Sequence, residues 1–516
     1  MKKWIPISMV IFFGFLYVLP SVGGEEPVRP GELYDSAMEL YYKDRFEEAI
    51  QGFSKLILSA PQSKLVSYSQ YMTGLCNLKL ERYEEALRHF RLYLRDFPEG
   101  DRVKEAETGV RISEERLKEK APVQPDPPFP GRGTVGTVVE SQTPEVRKAR
   151  RRVCAQVFYL EGKNLGEVEK SVKELKNAGV DTLILKVFQN KGDRMHRLVT
   201  PRHEEGVYFR TEHALVVDDI LGKVADIVHR NGLELFAWIT TRYTNYGLDG
   251  LPEYRSTAYN FETKRMEVAR GLNLFHEDVL KRLRGLFRDL GRYPIDGILF
   301  QDDLILKHNE DFSPEANKAF MKEFGFLPHP DVFYIDPYRS ESGKYYAKAY
   351  TERFWTWATW KNRSLMNVAR QLMSAAKESN PNLQFGINLY YEAILNHSNA
   401  LGWFSQTLSE AVETGFDYYA IMAYHRQTMR ELKMEEEDAV GLMAEVAQKA
   451  VKSIGDPSKV LMKVQILDWK SHEVLPPKEV ERVLDRVLDH GEVSLAFVPY
   501  IGQFPLHLLK GKWSKS

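Results

Sequence analysis

The residues best suited to chemistry are two adjacent carboxylates, Asp302 and Asp303, just past the apolar run Ile295–Phe300. Glu310 and Asp311 follow in the next loop, ahead of Phe312-Ser313-Pro314. A short apolar run of this kind suits a fully buried strand. In a (β/α)₈ barrel the reacting groups sit at the C-terminal strand ends and in the loops after them. Two carboxyls there match glycoside hydrolysis, where one protonates the leaving oxygen and another stabilises developing positive charge. Acidic residues also cap helices. Adjacent side chains on an extended segment point opposite ways, so one of the pair is expected to face the pocket and the other to cap or orient. On that alternation Asp303 is the expected general acid and Asp302 the alternative, with a pKa raised by its like-charged neighbour. Asp311 or Glu310 is expected to supply the second carboxylate if the loop folds back. Asp296, at the other end of the run, is expected to be structural, because the bottom face of a barrel serves stability.

The elements that must position these groups begin at Arg151. Eight short apolar segments alternate with amphipathic helical stretches: Val153–Leu160, Thr182–Phe188, Leu233–Thr240, Ile295–Phe300, Leu383–Leu389, Asp417–Ala423, Val460–Ile466 and Val493–Val498. The helical stretches between them are Leu165–Asn177, Val217–Asn231, Phe275–Leu290, Tyr345–Glu378, Leu401–Glu413, Asp438–Ser453 and Pro477–His490. Stops such as Asn177-Ala-Gly179 and Asn231-Gly232 end several of them. Eight βα units over residues 150–510 predict an α/β chain with a TIM-type (β/α)₈ barrel. No glycine-rich dinucleotide turn follows the first strand, which disfavours an open doubly wound sheet.

Residues just past each strand then form the expected rim, which is rich in aromatics, carboxylates and amides. Trp238, Tyr208, Tyr390, Trp403 and Trp469 are candidate platforms for stacking on sugar rings, although large aromatics are as often core. Asn388 and Gln465 suit hydrogen bonds to an acetamido or hydroxyl group, and Gln301 and Tyr424 complete the expected substrate-binding set. No nucleophilic Ser or Cys with a paired His is evident, and no Cys/His spacing points to a metal; no cofactor is expected. His425 reads as an isolated polar contact.

Ahead of the barrel, residues 32–120 carry an internal repeat. Arg45-Phe46-Glu47-Glu48-Ala49-Ile50 recurs as Arg82-Tyr83-Glu84-Glu85-Ala86-Leu87, an offset of 37 residues shared by Phe53 and Phe90 and by Pro61 and Pro98. Small Ala admits close helix approach, the aromatic fills the groove and Pro ends the second helix. This is the logic of a tetratricopeptide repeat with extra loop residues. An all-α domain of two such repeats and a closing helix is expected, with a protein partner as its expected ligand. Residues 121–148, rich in Pro and Gly, read as a linker. Met1-Lys2-Lys3, the apolar run Trp4–Val18 and Val22-Gly-Gly24 read as a secretory signal peptide over residues 1–24, an uncleaved anchor being the alternative. A periplasmic or secreted protein with no stable membrane span after cleavage is therefore expected.

Composition narrows the partners. Lys plus Arg (71) balances Asp plus Glu (72), so no global charge favours nucleic acid. The 516 residues suffice for two or three domains, and 43% hydrophobic content suits sizeable cores. Cys76 and Cys154, in separate domains, read as buried small hydrophobes.

Residues 152–505 resemble the C-terminal glycoside hydrolase domain of PgaB-type proteins. The resemblance is carried in order by Gly206-Val-Tyr-Phe209, Phe236-Ala-Trp238, Asp296-Gly-Ile-Leu-Phe-Gln-Asp-Asp303, Glu310-Asp-Phe-Ser-Pro314, Asn388-Leu-Tyr390, Trp403-Phe-Ser-Gln406, Ala420-Ile-Met-Ala423 and Gln465–Trp469. It implies an endo-acting hydrolase of partially de-N-acetylated poly-β-1,6-N-acetyl-D-glucosamine, a biofilm polysaccharide, with Asp302 and Asp303 on the family's strand-end aspartates. The family's deacetylase domain is replaced here by the helical repeat. Gln301 stands where the family usually has His, Lys463 where an acidic residue is usual, and Ala423-Tyr-His425 replaces a Met-Pro type turn. Two alternatives stay open: a non-catalytic polysaccharide-binding or export scaffold whose repeats dock a secretion partner, and a hydrolase of another amino-sugar glycan such as peptidoglycan. A weaker similarity to chitinase-like barrels, through Asp296, Asp302-Asp303 and Ile421–Tyr424, is mechanistic analogy only.

Overall fold

The computed structural model describes residues 30–42, 45–60, 63, 65–98, 100, 102–120, 149–248, 252–340, 345–489 and 491–513. The expected signal peptide and the 121–148 linker lie outside them. The described chain forms two compact units, one of helices before residue 121 and one after residue 148.

The first unit is five helices: α1 (Pro30–Tyr42), α2 (Phe46–Ser59), α3 (Leu65–Lys79), α4 (Tyr83–Asp96) and α5 (Val103–Lys120). The repeated residues do what their types require. Ala49 and Ala86 are fully buried, as are Phe53 and Phe90. Phe90 of α4 fits only because α5 carries Gly109, where a Cβ would come within 2.4 Å of its ring.

The second unit is a closed parallel barrel. Its strands are β1 (Val153–Val157), β2 (Thr182–Lys186), β3 (Glu234–Ile239), β4 (Gly297–Phe300), β5 (Gln384–Tyr390), β6 (Tyr418–Met422), β7 (Val460–Gln465) and β8 (Ser494–Val498). Each strand pairs with its sequence neighbours, and β8 closes on β1 with Ala155 opposite Phe497. Strands buried on both faces are largely apolar, apart from inward polar residues such as Gln156, Lys186, Asn388 and Lys463, so these runs lack the alternation of half-exposed strands. Helices Leu165–Asn177, Leu221–Arg230, Glu277–Leu290, Glu352–Lys377, Leu408–Thr414, Glu436–Ile454 and Pro477–Leu488 lie between them. Helix starts are chemically marked: Asn164 and Thr351 accept the amides of Glu167 and Phe354, and Ser313 accepts that of Ala316 at the start of a further helix, Pro314–Phe324, after β4.

The bottom of the barrel is closed by Arg152, which is 2% exposed. It donates to Thr182 Oγ1 at 2.9 Å and Gln384 Oε1 at 2.5 Å, pairs with Glu234, and lies 4.8 Å from the Phe236 ring centre. Asp296 is structural as expected, accepting from Leu235 N at 2.9 Å and contacting His229 Nε2 at 2.8 Å.

The top carries two antiparallel hairpins that periodicity does not reveal: Arg255–Asn260 with Arg265–Leu272, and Tyr334–Arg339 with Tyr345–Tyr350. The second corrects the expected helix from Tyr345. Tyr345–Tyr350 is a strand, and the helix begins only after the Thr351 cap. The expected helix Leu401–Glu413 is likewise two, His397–Phe404 and Leu408–Thr414, separated by Ser405 in the left-handed region.

Candidate active site

The strands end in an open cleft of about 160 Å³. Gln156 and Phe158 reach it from β1, Lys186 and Phe188 from β2, and Trp238 and Thr240 from β3. Gln301 and Asp302 come from β4, Tyr390 and Glu392 from β5, Tyr424 from β6, Lys463 from β7 and Trp469 from the loop beyond.

The two aspartates are placed differently, and Asp302 rather than Asp303 lines the cleft. Asp303 is 1% exposed and does not line the cleft. Its carboxylate accepts the backbone amides of Thr241 at 2.9 Å, Arg242 at 2.6 Å and Tyr243 at 2.7 Å. It also accepts the hydroxyl of Thr241 at 2.9 Å and that of Thr240. A carboxylate is acceptor-only when ionised, and this one has its lone pairs fully engaged. Alternation fails because the chain leaves the strand at Phe300, and residues 302–303 form a turn.

Asp302 faces the cleft. Burial pushes its carboxyl up to about 6; Lys463 opposes that rise and the Asp303 charge adds to it. Lys463 is 4% exposed, and burial brings its ammonium down to about 8, against the attraction of Asp302. Its Nζ donates to Asn388 Oδ1 at 2.9 Å, and Asn388 Nδ2 donates to the Phe300 carbonyl at 2.7 Å. A polar chain thus runs from β7 through β5 to the last residue of β4, two residues before Asp302.

The loop after β3 is held as firmly. Arg242 is fully buried, with Nη2 2.8 Å from both Ser256 Oγ and Glu310 Oε2, Nε donating to the Leu272 carbonyl at 3.2 Å, and Nη1 donating to the Ile305 carbonyl. One guanidinium therefore joins the β3 end, the first hairpin and the β4 loop. Gly271 leaves room for it, since a Cβ there would lie 2.4 Å from Arg242 Nη2.

Further acids and bases line the cleft. Lys186 pairs with Asp193 at 2.5 Å. Glu392 and Glu431 are each raised to about 7, chiefly by burial, and Glu431 adds repulsion at Glu392. The cleft aromatics fall into two groups: Phe158 lies 4.7 Å from Trp238 and 6.3 Å from Trp469, which is 5.5 Å from Tyr424, and Tyr390 stacks on Phe404 at 4.2 Å. Gln301 accepts the Trp238 indole N–H.

The expected substrate residues divide accordingly. Trp238, Gln301, Tyr390, Tyr424 and Trp469 line the cleft together. Asn388 holds Lys463 instead. Gln465 is fully buried and donates to the Leu467 carbonyl at 2.8 Å. Tyr208 is 1% exposed, donates to Gln189 Oε1 at 2.6 Å and packs on His196, so it is core. Trp403 points away from the cleft onto His308 at 4.5 Å. Asp311 is fully buried, accepts the amides of Thr257 at 2.9 Å and Ser313 at 2.8 Å, and does not reach the cleft; Glu310 is spent on Arg242. Sequence reasoning passed over Lys186, Tyr243, Arg270 and Glu431 as cleft residues. Glu431 comes from the helix after β6 (His425–Leu432), a distance from any strand end that no local pattern marks. Among the described residues no group of three or more His, Cys, Asp or Glu is placed to hold a metal ion, and no helix is long and apolar enough to cross a membrane.

A family model described as "Hypothetical glycosyl hydrolase family 13" matches residues 161–498. Two curated relatives, the poly-β-1,6-N-acetyl-D-glucosamine N-deacetylases of Escherichia coli K12 and O157:H7, are each 23% identical over 292 residues, 54% of this chain. The chain spans only 39% of their length. The solved PgaB (BpsB) glycoside hydrolase domain from Bordetella bronchiseptica superposes with a TM-score of 0.57 at 19% identity, covering 71% of this chain and 99% of that one, which shows a shared fold.

Proposed function

The chain belongs to hypothetical glycosyl hydrolase family 13, and from that membership we propose that its barrel is an exported glycosidase with Asp302 as general acid. The substrate we propose is partially de-N-acetylated poly-β-1,6-N-acetyl-D-glucosamine, cut within the chain. Relatives named for that polymer and an aromatic, carboxylate-bearing cleft favour it. The basic start and apolar run over residues 1–24, read as a signal peptide, support the export part of this reading.

One observation carries the reading: a cleft-facing carboxyl held near 6, where it keeps a transferable proton close to neutral pH. Asp302 gives that proton to the glycosidic oxygen as the bond from it to the anomeric carbon breaks. Water adds to the anomeric carbon and yields its own proton to solvent, since Glu392 and Glu431, raised to about 7, are largely protonated wherever Asp302 is. Asp303 acts at one remove, fixing the turn that aims Asp302.

Digestion of a glycan panel tests this. Purified protein is expected to release shorter oligomers from partially de-N-acetylated poly-β-1,6-N-acetylglucosamine, and not from chitosan or peptidoglycan glycan strands. Cleavage of the last alone would assign another amino-sugar glycan. Gln301, where the resembling family usually has His, favours a second reading, a barrel that binds the polymer for export without cutting it. Retention of the polymer with no product would select that.

A further inference from the structure

A polymer cut within its chain extends to both sides of the cut, and so continues over the surface beside the cleft. Two elements lead outward from the cleft in one direction. The hairpin Arg255–Leu272 places Arg270 in the cleft and Glu267 in a second groove. The helix His397–Phe404 places Phe404 in the cleft, and its neighbour Trp403 turns the other way. The second groove, about 400 Å³, lies between the two hairpins and is lined by Asn260, Glu262, Glu267 and Tyr346 among others.

A row of rings extends from it. Tyr346 lies opposite Tyr338 across the second hairpin, with ring centres 6.4 Å apart, and 5.6 Å from Trp403 on its other side. Tyr338 is 37% exposed, and Tyr346 and Trp403 are half-buried. The row is supported from below. Trp403 packs on His308, which also stacks on Phe261 at 5.3 Å and contacts the Tyr350 hydroxyl at 3.0 Å through Nδ1. Glu267 is exposed, and its Oε1 is set by Asn260 Nδ2 at 2.8 Å and Thr263 Oγ1 at 3.0 Å. Half-exposed rings on a firm base beside a fixed carboxylate suit sugar faces and ammonium groups, whereas Tyr334, Tyr345 and Tyr350 of the same hairpin pack into the cluster beneath.

We propose that this groove and its aromatic row are a second carbohydrate-binding surface, which holds the stretch of an amino-sugar polymer that lies beyond the cleft. It rests on the reading of the cleft as a glycosidase of a glucosamine-containing chain. Trp403, expected from sequence to stack on substrate, then does so outside the cleft.

The test compares the wild-type chain with the double variant Tyr338→Ala, Tyr346→Ala on two probes, partially de-N-acetylated poly-β-1,6-N-acetylglucosamine and its tetrasaccharide. The double variant is expected to lose roughly three- to tenfold in kcat/KM on the polymer, the size of one or two lost ring contacts, and nothing on the tetrasaccharide. Equal polymer activity, or an equal loss on the tetrasaccharide, overturns the proposal. If the double variant melts below the wild type, the single Tyr338→Ala carries the same comparison from a more exposed position. If the wild type cleaves neither probe, the glycosidase reading falls, and affinity electrophoresis in polymer gels decides the surface separately. Weaker retardation of the double variant supports it, and equal retardation overturns it.

Discussion

Asp302 and Lys463 form a coupled pair whose pH behaviour follows from burial. A carboxyl held at about 6 in the fold, against about 3.9 unfolded, costs nothing while protonated and destabilises the fold as pH rises through that window. Asp302→Asn is therefore expected to raise stability at pH 7 by about 1–3 kcal/mol and to leave it unchanged at pH 3.5, measured by thermal unfolding at both pH values. Lys463, with its ammonium at about 8, is charged at neutral pH and lowers the Asp302 pKa. Lys463→Met removes that charge, so the alkaline limb of the kcat/KM profile is expected to move upward. An unmoved limb would show that Lys463 does not act on the acid. The competing groups around Asp302 are Asp303, which raises it, and Tyr243, Tyr390 and Tyr424, whose hydroxyls stay protonated across this range.

The β3 and β4 ends are built as one element through Asp303. Replacing an acceptor that serves three backbone amides and two hydroxyls with an amide brings donor against donor. Asp303→Asn is expected to lose about 2–4 kcal/mol, read from urea unfolding. Its activity loss accompanies that instability, whereas Asp302→Asn stays folded, and the contrast separates aiming from chemistry. All eight barrel strands were legible because a buried parallel strand is a largely apolar run, as Gly297–Phe300 and Tyr418–Met422 illustrate. The hairpins were not, since Tyr345-Tyr-Ala-Lys-Ala-Tyr350 is as compatible with a helix until Thr351 caps the next one. The order of the two aspartates was illegible for a local reason: alternation holds within a strand, and Asp302 sits in the turn after it. Tyr208 and Trp403 show that an aromatic near a strand end carries no mark of whether it faces the cleft or the packing beneath.

Across the whole molecule, the repeat helices and the barrel each close their own hydrophobic core. Phe90, enclosed by Gly74 and Gly109, is the pivot of the repeat core. Phe90→Ala is expected to cost that unit about 3–5 kcal/mol while leaving kcat/KM on a short oligosaccharide unchanged. Two resolved calorimetric transitions, with only one displaced, would verify it. The mutual independence of the cores also explains why the repeat could be read from sequence by itself, from Ala49 and Ala86 and the aromatics four residues on. The central claim belongs to one carboxyl, and the pH dependence of kcat/KM on partially de-N-acetylated poly-β-1,6-N-acetylglucosamine tests it most directly. The account predicts an alkaline limb near pH 6 for the wild type and a loss of about 10²–10⁴ in Asp302→Asn, with the variant still folded. Wild-type kcat/KM in a folded Asp302→Asn protein would contradict it.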